Sequence, residues 1–178
     1  MDTIDLERLN RENFRVMMNV LSKPGTIEKI TPVFDSSFLA LANTLLYAEV
    51  SHFYRGIEEF ELIKAITNSK EDDENSADYV FCDEINRELF SKGKIGTSKD
   101  PEFSSTYIFK CKNFNKTQVR LRGPGIDEIK ETTLPVNKDF IELFNEKNAT
   151  FPLGNEIFFI DEDSRLIALS RTTKVEVV

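Results

Sequence analysis

The sequence predicts an α/β fold: a single domain with a mixed β-sheet flanked by helices. Two patterns carry the prediction. Apolar residues at helical spacing alternate along the chain with short β-rich runs, and the last β-rich runs are close enough to pair as hairpins. Size is the third observation. The chain has 178 residues, 40% of them hydrophobic, and a chain of this length buries roughly 70% of the surface it exposes when unfolded. One domain over residues 1–178 is therefore expected. Fifteen phenylalanines and no tryptophan give its apolar area to one aromatic type, each ring removing on the order of 150–250 Å² from water.

The elements follow in order. Phe14, Met17, Met18 and Leu21 fall at i, i+3, i+4 and i+7 and predict a helix. Lys23-Pro24-Gly25 ends it, because proline cannot continue the ladder and disfavours helical angles in the residue before it. Thr26 to Ile30 reads as a short strand. Ser36 or Ser37 caps a second helix carrying Phe38, Leu41, Ala42 and Leu45. Val50 to Tyr54 is a strand and Ile57 to Ile66 a helix.

The acidic run Asn68 to Ser76 reads as an exposed loop, since charges of one sign at this density repel. Tyr79 to Cys82 is a buried strand, a weak helical stretch holds Ile85 and Leu89, and Ser91 to Glu102 is a loop. Thr106 to Cys111 and Thr117 to Arg122 flank Asn113-Phe114-Asn115-Lys116 and predict a hairpin. Asn137 caps a helix bearing Phe140, Ile141 and Phe144, and Glu156 to Ile160 and Leu166 to Leu169 form two strands joined by a polar turn.

Charge excludes several functions. Twenty-three Lys and Arg against 31 Asp and Glu leave a formal net charge of −8, which disfavours nucleic acid and anionic membrane surfaces as partners. No run of about 18 apolar residues offers a membrane span. The acidic start, Met1 to Glu7, has no apolar core of a secretory leader. Cys82 and Cys111 are isolated, so they read as reduced thiols of a cytoplasmic protein, not as a disulfide or part of a metal site. His52 is the only histidine, which excludes histidine-pair metal sites; a structural or surface role is expected of it. Walker A, Gly-x-Ser-x-Gly and Gly-x-Gly-x-x-Gly are absent.

Three stretches are candidates for binding an anion. Arg120-Leu121-Arg122-Gly123-Pro124-Gly125 sets guanidinium groups before a turn whose N–H groups suit a phosphate; its plainer reading is a strand ending in an exposed turn. Arg171-Thr172-Thr173 follows an apolar strand, and open α/β sheets bind ligands at strand C-termini; a terminal strand with β-branched threonines explains it equally. Gly96 to Glu102 offers hydroxyls and carboxylates, and an exposed turn is its favoured reading. The pairs Asp83-Glu84 and Asp161-Glu162-Asp163 read as solvated strand-to-turn junctions.

Several of these stretches together resemble one family. Phe14-Arg15 through Met18, Ser22, Pro24 and Gly25 is similar to the Phe-Arg…Met-Ser-x-Pro-Gly signature of PhnH, the H component of the bacterial carbon–phosphorus lyase system. Thr44-Leu45-Leu46, Gly96-Thr97…Pro101-Glu102…Thr106 and Leu121 to Ile126 match further elements in order. Phe151 to Ile157 and Ala168 to Val175 resemble Phe-Pro-x-Gly-x-Asp-Leu and Ile-Pro-Arg-Thr-Thr-x-Val, with Glu156 in place of the commoner aspartate and Ser170 in place of proline.

The resemblance implies a fold related to the large domain of pyridoxal-phosphate-dependent transferases, without the Schiff-base lysine and without that cofactor. It also implies a homodimer that assembles with the G, I and J subunits. With the G, I and L components, the family supports displacement of adenine from ATP by a phosphonate, giving ribose 1-phosphonate 5-triphosphate. An accessory, non-catalytic subunit is the leading expectation. The alternative is a ligand site of its own: Arg122, Gly123, Gly125, Arg171, Thr172 and Thr97 would hold a phosphonate or ATP phosphate, with Glu102 or Asp100 as acid or base.

Overall fold

The computed structural model describes residues 5–178. Met1 to Ile4, part of the stretch in which no leader is read, lie outside the described residues. The order along the chain is α1 (Leu6–Ser22), β1 (Glu28–Lys29), α2 (Ser37–Leu45), β2 (Ser51–Arg55), α3 (Phe60–Thr67), β3 (Lys70–Glu71), β4 (Tyr79–Cys82), α4 (Arg87–Lys92), β5 (Thr106–Lys110), β6 (Thr117–Arg122), β7 (Lys130–Leu134), α5 (Lys138–Lys147), β8 (Glu156–Ile160), β9 (Arg165–Leu169) and β10 (Lys174–Val177). The caps read from sequence form: Ser36 Oγ accepts from Leu39 N–H at 3.1 Å and Asn137 Oδ1 from Phe140 N–H at 3.0 Å.

A seven-stranded mixed sheet has the order β1-β9-β8-β5-β4-β2-β3, and a three-stranded antiparallel sheet the order β10-β6-β7. In the large sheet β3, β2, β4, β5 and β8 run parallel, β9 runs against them beside β8, and β1 pairs antiparallel with β9 at the margin. Counted along the chain, the parallel strands stand in the doubly wound order 2-1-3-4-5.

Strand alternation divides the core in two. Phe81, Ile108, Phe158, Ile160, Leu166 and Ala168 face α1, α2 and α3. Their neighbours Val80, Cys82, Tyr107, Phe109, Ile157, Phe159, Ile167 and Leu169 face α4, α5 and the small sheet. Among the described residues no helix is long and apolar enough to cross a membrane.

Four expectations are corrected. The predicted hairpin of Thr106–Cys111 with Thr117–Arg122 does not form: β5 lies between β4 and β8, and β6 joins the small sheet. Tyr107, Ile108 and Phe109 are all buried, so β5 needs cover on both faces and takes a central, parallel place. The alternating burial of β6 suits an antiparallel sheet with one wet face.

On α1 the buried residues are Asn13, Met17 and Val20, while Phe14 and Met18 are 48% and 46% exposed. Asn13 sets the rotation, because its amide donates to Thr31 O and accepts from Thr31 N–H, each at 3.0 Å. The run Asn68 to Ser76 contains β3, and its Ser69 is buried against His52, Oγ to Nδ1 at 3.0 Å. His52 is thus a structural histidine, its pKa lowered by burial. Asp161 is also buried: it accepts from the N–H groups of Asp163 and Arg165 and from the Arg165 guanidinium, closing the β8–β9 turn.

Candidate functional site

The parallel strands β2, β4, β5 and β8 end together, and the residues just beyond them line a crevice of about 620 Å³. Ile57 follows β2, and Asp83 and Glu84 follow β4; Lys110 ends β5 with Cys111 and Lys112 behind it, and Glu162 follows β8. Arg87 opens α4, Lys116 precedes β6, and Pro135, Val136 and Asn137 lead into α5. The chain places β3 and β4 on opposite sides of β2, so the strand order reverses beside this opening. That combination, carboxyl ends at a reversal of strand order, is where open α/β sheets bind ligands.

One wall of the crevice is rigidly built. Asp83 Oδ2 accepts from Ile57 N–H at 2.8 Å, and Glu58 N–H donates to the Tyr54 hydroxyl at 2.6 Å. Burial raises the pKa of Tyr54 to about 12, which keeps the hydroxyl protonated. Glu58 pairs with Lys110 and accepts from Ser36 Oγ at 2.5 Å, joining β5 to the cap of α2. Burial also raises the pKa of Cys111 to about 12, with Asp161 adding to the effect, so it is a protonated thiol and not a nucleophilic thiolate.

The other charged side chains form no ion pair, and Arg87 Nε donates to Asp139 O at 3.4 Å. Lys112, Lys116 and Arg87 are exposed and have no ion-pair partner among the described residues, and the same holds for the carboxylates of Glu84 and Glu162.

The residues singled out in the sequence lie elsewhere. β9 runs against the parallel strands, so its end, with Ser170, Arg171 and Thr172, lies at the sheet's opposite edge. Arg171 donates to Pro101 O at 2.7 Å, Pro152 O at 3.3 Å and Ser104 Oγ at 3.0 Å, and its Nε lies 3.5 Å from Glu156. Ser170 bonds the hydroxyls of Thr172 and Thr173, each at 3.0 Å. Thr97 stays in the exposed Thr97–Asp100 turn, where its hydroxyl accepts from Asp100 N–H at 3.1 Å, and Glu102 is exposed beside it.

Gly123 and Gly125 have φ of 139° and 81°. A Cβ on Gly123 would come within 2.6 Å of Thr172 O, and one on Gly125 within 1.8 Å of Ser22 O. The turn is therefore packed tightly against the end of α1 and the loop before β10. Arg122 is exposed beyond it and lines a separate cavity of about 420 Å³ with Arg120, Lys174 and Thr173; Arg171 is not among the lining residues. The structure thus brings Arg171 to Pro101 and Ser104 and leaves Arg122 apart from it.

Sequence reading missed the crevice. Its one signal was that Asp83-Glu84, Lys110-Cys111-Lys112 and Asp161-Glu162 each directly follow a buried strand.

The fold defines an open, mostly parallel α/β protein with helices on both faces of its sheet and a crevice at the strands' carboxyl ends. The chain belongs to the PhnH family: the model of that family, described as "Bacterial phosphonate metabolism protein (PhnH)", matches residues 5–176. No curated protein matches the chain. Membership indicates involvement in phosphonate metabolism.

Proposed function

We propose that the chain is an accessory subunit of a cytoplasmic carbon–phosphorus lyase assembly, on a fold related to the pyridoxal-phosphate-dependent transferase large domain but without that cofactor. In this reading it forms a homodimer and associates with the G, I and J subunits. It supports formation of ribose 1-phosphonate 5-triphosphate from ATP and a phosphonate, and bond-breaking is left to its neighbours. The observation that carries the reading is the family match across residues 5–176. Phe14 and Met18, one turn apart on α1 and about half exposed, supply apolar surface for a sister chain.

Co-expression with the partner subunits tests the reading. The chain is expected to co-purify with them, and its omission is expected to abolish phosphonate turnover. A chain that stays free while the others assemble and turn over phosphonate at the normal rate would refute it.

A second reading, direct contact with a phosphonate or ATP, is favoured at Arg122 by its exposure and by the cavity it shares with Arg120 and Lys174. Gly123, Gly125, Thr172, Thr97 and Glu102 stand in that reading as the surrounding loops, and Arg171 as their tie.

A further inference from the structure

We infer that the chain pairs with a second copy of itself through two helix faces, the basic outward face of α1 on each copy resting against the acidic outward face of α3 on the other.

The first ground is an uneven distribution of charge. From Glu58 to Glu74 seven carboxylates stand against two lysines, a net −5, whereas from Leu6 to Lys23 four cations stand against two carboxylates, a net +2. Both stretches place a helix on the same face of the large sheet. There α1 lies over β9, α3 links β2 to β3 at the opposite margin, and α2 packs against both.

The second ground is that each helix leaves apolar side chains outside. On α1, Asn13, Met17 and Val20 turn inward, and Phe14 and Met18 remain on the solvent side. The charged residues three or four positions from them are Arg11 and Arg15, both exposed and without an ion pair among the described residues. On α3, Phe60 and Ile63 turn inward, and Leu62 and Ile66 are exposed. Beside them stand exposed Glu59 and Glu61; the lysine nearest Glu61, Lys64, is 3.6 Å from it and bonds Glu71 at 2.8 Å.

Sign selects the pairing. Two α1 faces in contact would set arginine on arginine, and two α3 faces glutamate on glutamate, and like charges facing each other suppress association. A two-fold axis beside α2 instead puts α1 on α3 twice, closing the pair with one surface from each copy. Phe14 and Met18 then meet Leu62 and Ile66, an apolar centre rimmed by opposite charges. The inference rests on the homodimer of the subunit reading and names its surface.

The test is sedimentation velocity on the purified full chain at micromolar concentration, with R11E/R15E and E59K/E61K as charge-reversal variants. The wild type should sediment as a dimer, and each variant alone should dimerise at least about tenfold more weakly. An equimolar mixture should recover the dimer, because the reversed α1 of one variant meets the reversed α3 of the other and the second contact is unchanged. Native mass spectrometry of the mixture should show one copy of each variant. The replaced side chains are exposed, so circular dichroism and melting should stay close to those of the wild type. F14S/M18S, which alters no charge, should also weaken the dimer, whereas K99E, in the exposed turn at the amino edge of the sheet, should leave it intact. A wild type that stays monomeric refutes the homodimer reading, and this surface with it. A wild-type dimer that persists in both reversal variants refutes the surface alone. So does a mixture that stays monomeric, or a dimer lost in one reversal variant only.

Discussion

The two edges of the large sheet are built on opposite principles. At the amino edge of the parallel strands the polar groups are spent on one another. Arg171 reaches Pro101, Pro152, Ser104 and Glu156; the Asn155 amide donates to Lys94 O at 2.8 Å and Ser105 O at 2.7 Å; Ser105 Oγ donates to Ala77 O at 2.7 Å. Only Asn155 Oδ1 is buried without a partner among the described residues. At the carboxyl edge Lys112, Lys116, Glu84 and Glu162 line an opening with no side-chain hydrogen bond or ion pair among the described residues, and Arg87 beside them reaches only the Asp139 carbonyl, at 3.4 Å. A closed polar network stabilises a fold because each buried group is satisfied. An open one leaves its hydrogen-bonding capacity for a ligand.

Substitutions at the two edges should therefore separate stability from binding. The largest loss is expected for R171M, which leaves the Pro101 and Pro152 carbonyls, Ser104 and Glu156 without their donor: about 3 kcal/mol in urea unfolding. A loss under 1 kcal/mol would show that the amino edge is not held by this side chain.

G125A comes next, at about 2 kcal/mol, because a left-handed φ of 81° disfavours any side chain and the new methyl meets Ser22 O. Thermal unfolding measures it, and a melting temperature equal to wild type would contradict the tight packing of the turn.

Lys147 gives the third. Its amine donates to Phe90 O at 2.5 Å and Gly93 O at 3.1 Å, and burial lowers its pKa from 10.5 to about 8. Between those values the unfolded chain holds a proton that the folded chain has released, so this group makes stability rise as pH climbs from about 8 to 10.5. Urea midpoints of wild type and K147M at pH 8 and pH 10 should differ in their rise by roughly 1 kcal/mol once solvent screening is allowed for. Equal slopes would show that the lysine is not buried as a charge.

The smallest effect belongs to the crevice. K112Q/K116Q should change stability by less than about 0.5 kcal/mol, as exposed side chains without partners do. A larger loss would make the carboxyl edge a second structural network and remove the contrast.

Much of the fold was legible in the chain. Pro24 stopping α1, Ser36 and Asn137 capping α2 and α5, and the apolar runs at β4, β8 and β9 are local facts, fixed by backbone sterics and side-chain periodicity. β7 was missed, although Glu131-Thr132-Thr133-Leu134 carries a β-branched pair. Phe14 read as core because periodicity cannot register the clamp between Asn13 and Thr31.

The candidate site was less legible, and the case of Arg171 shows why. Following an apolar strand, it met the rule that ligands gather at strand ends, but that rule depends on strand direction. By itself the sequence determined an α/β alternation, the stop of α1, the caps of α2 and α5 and, through its ordered motifs, its family. Tertiary structure alone decided that β5 runs parallel inside the sheet, that β9 runs against it, and that Arg87, Lys112 and Lys116 meet at one opening. Strand direction is set by pairing between residues far apart in the chain, and short-range patterns hold no record of it.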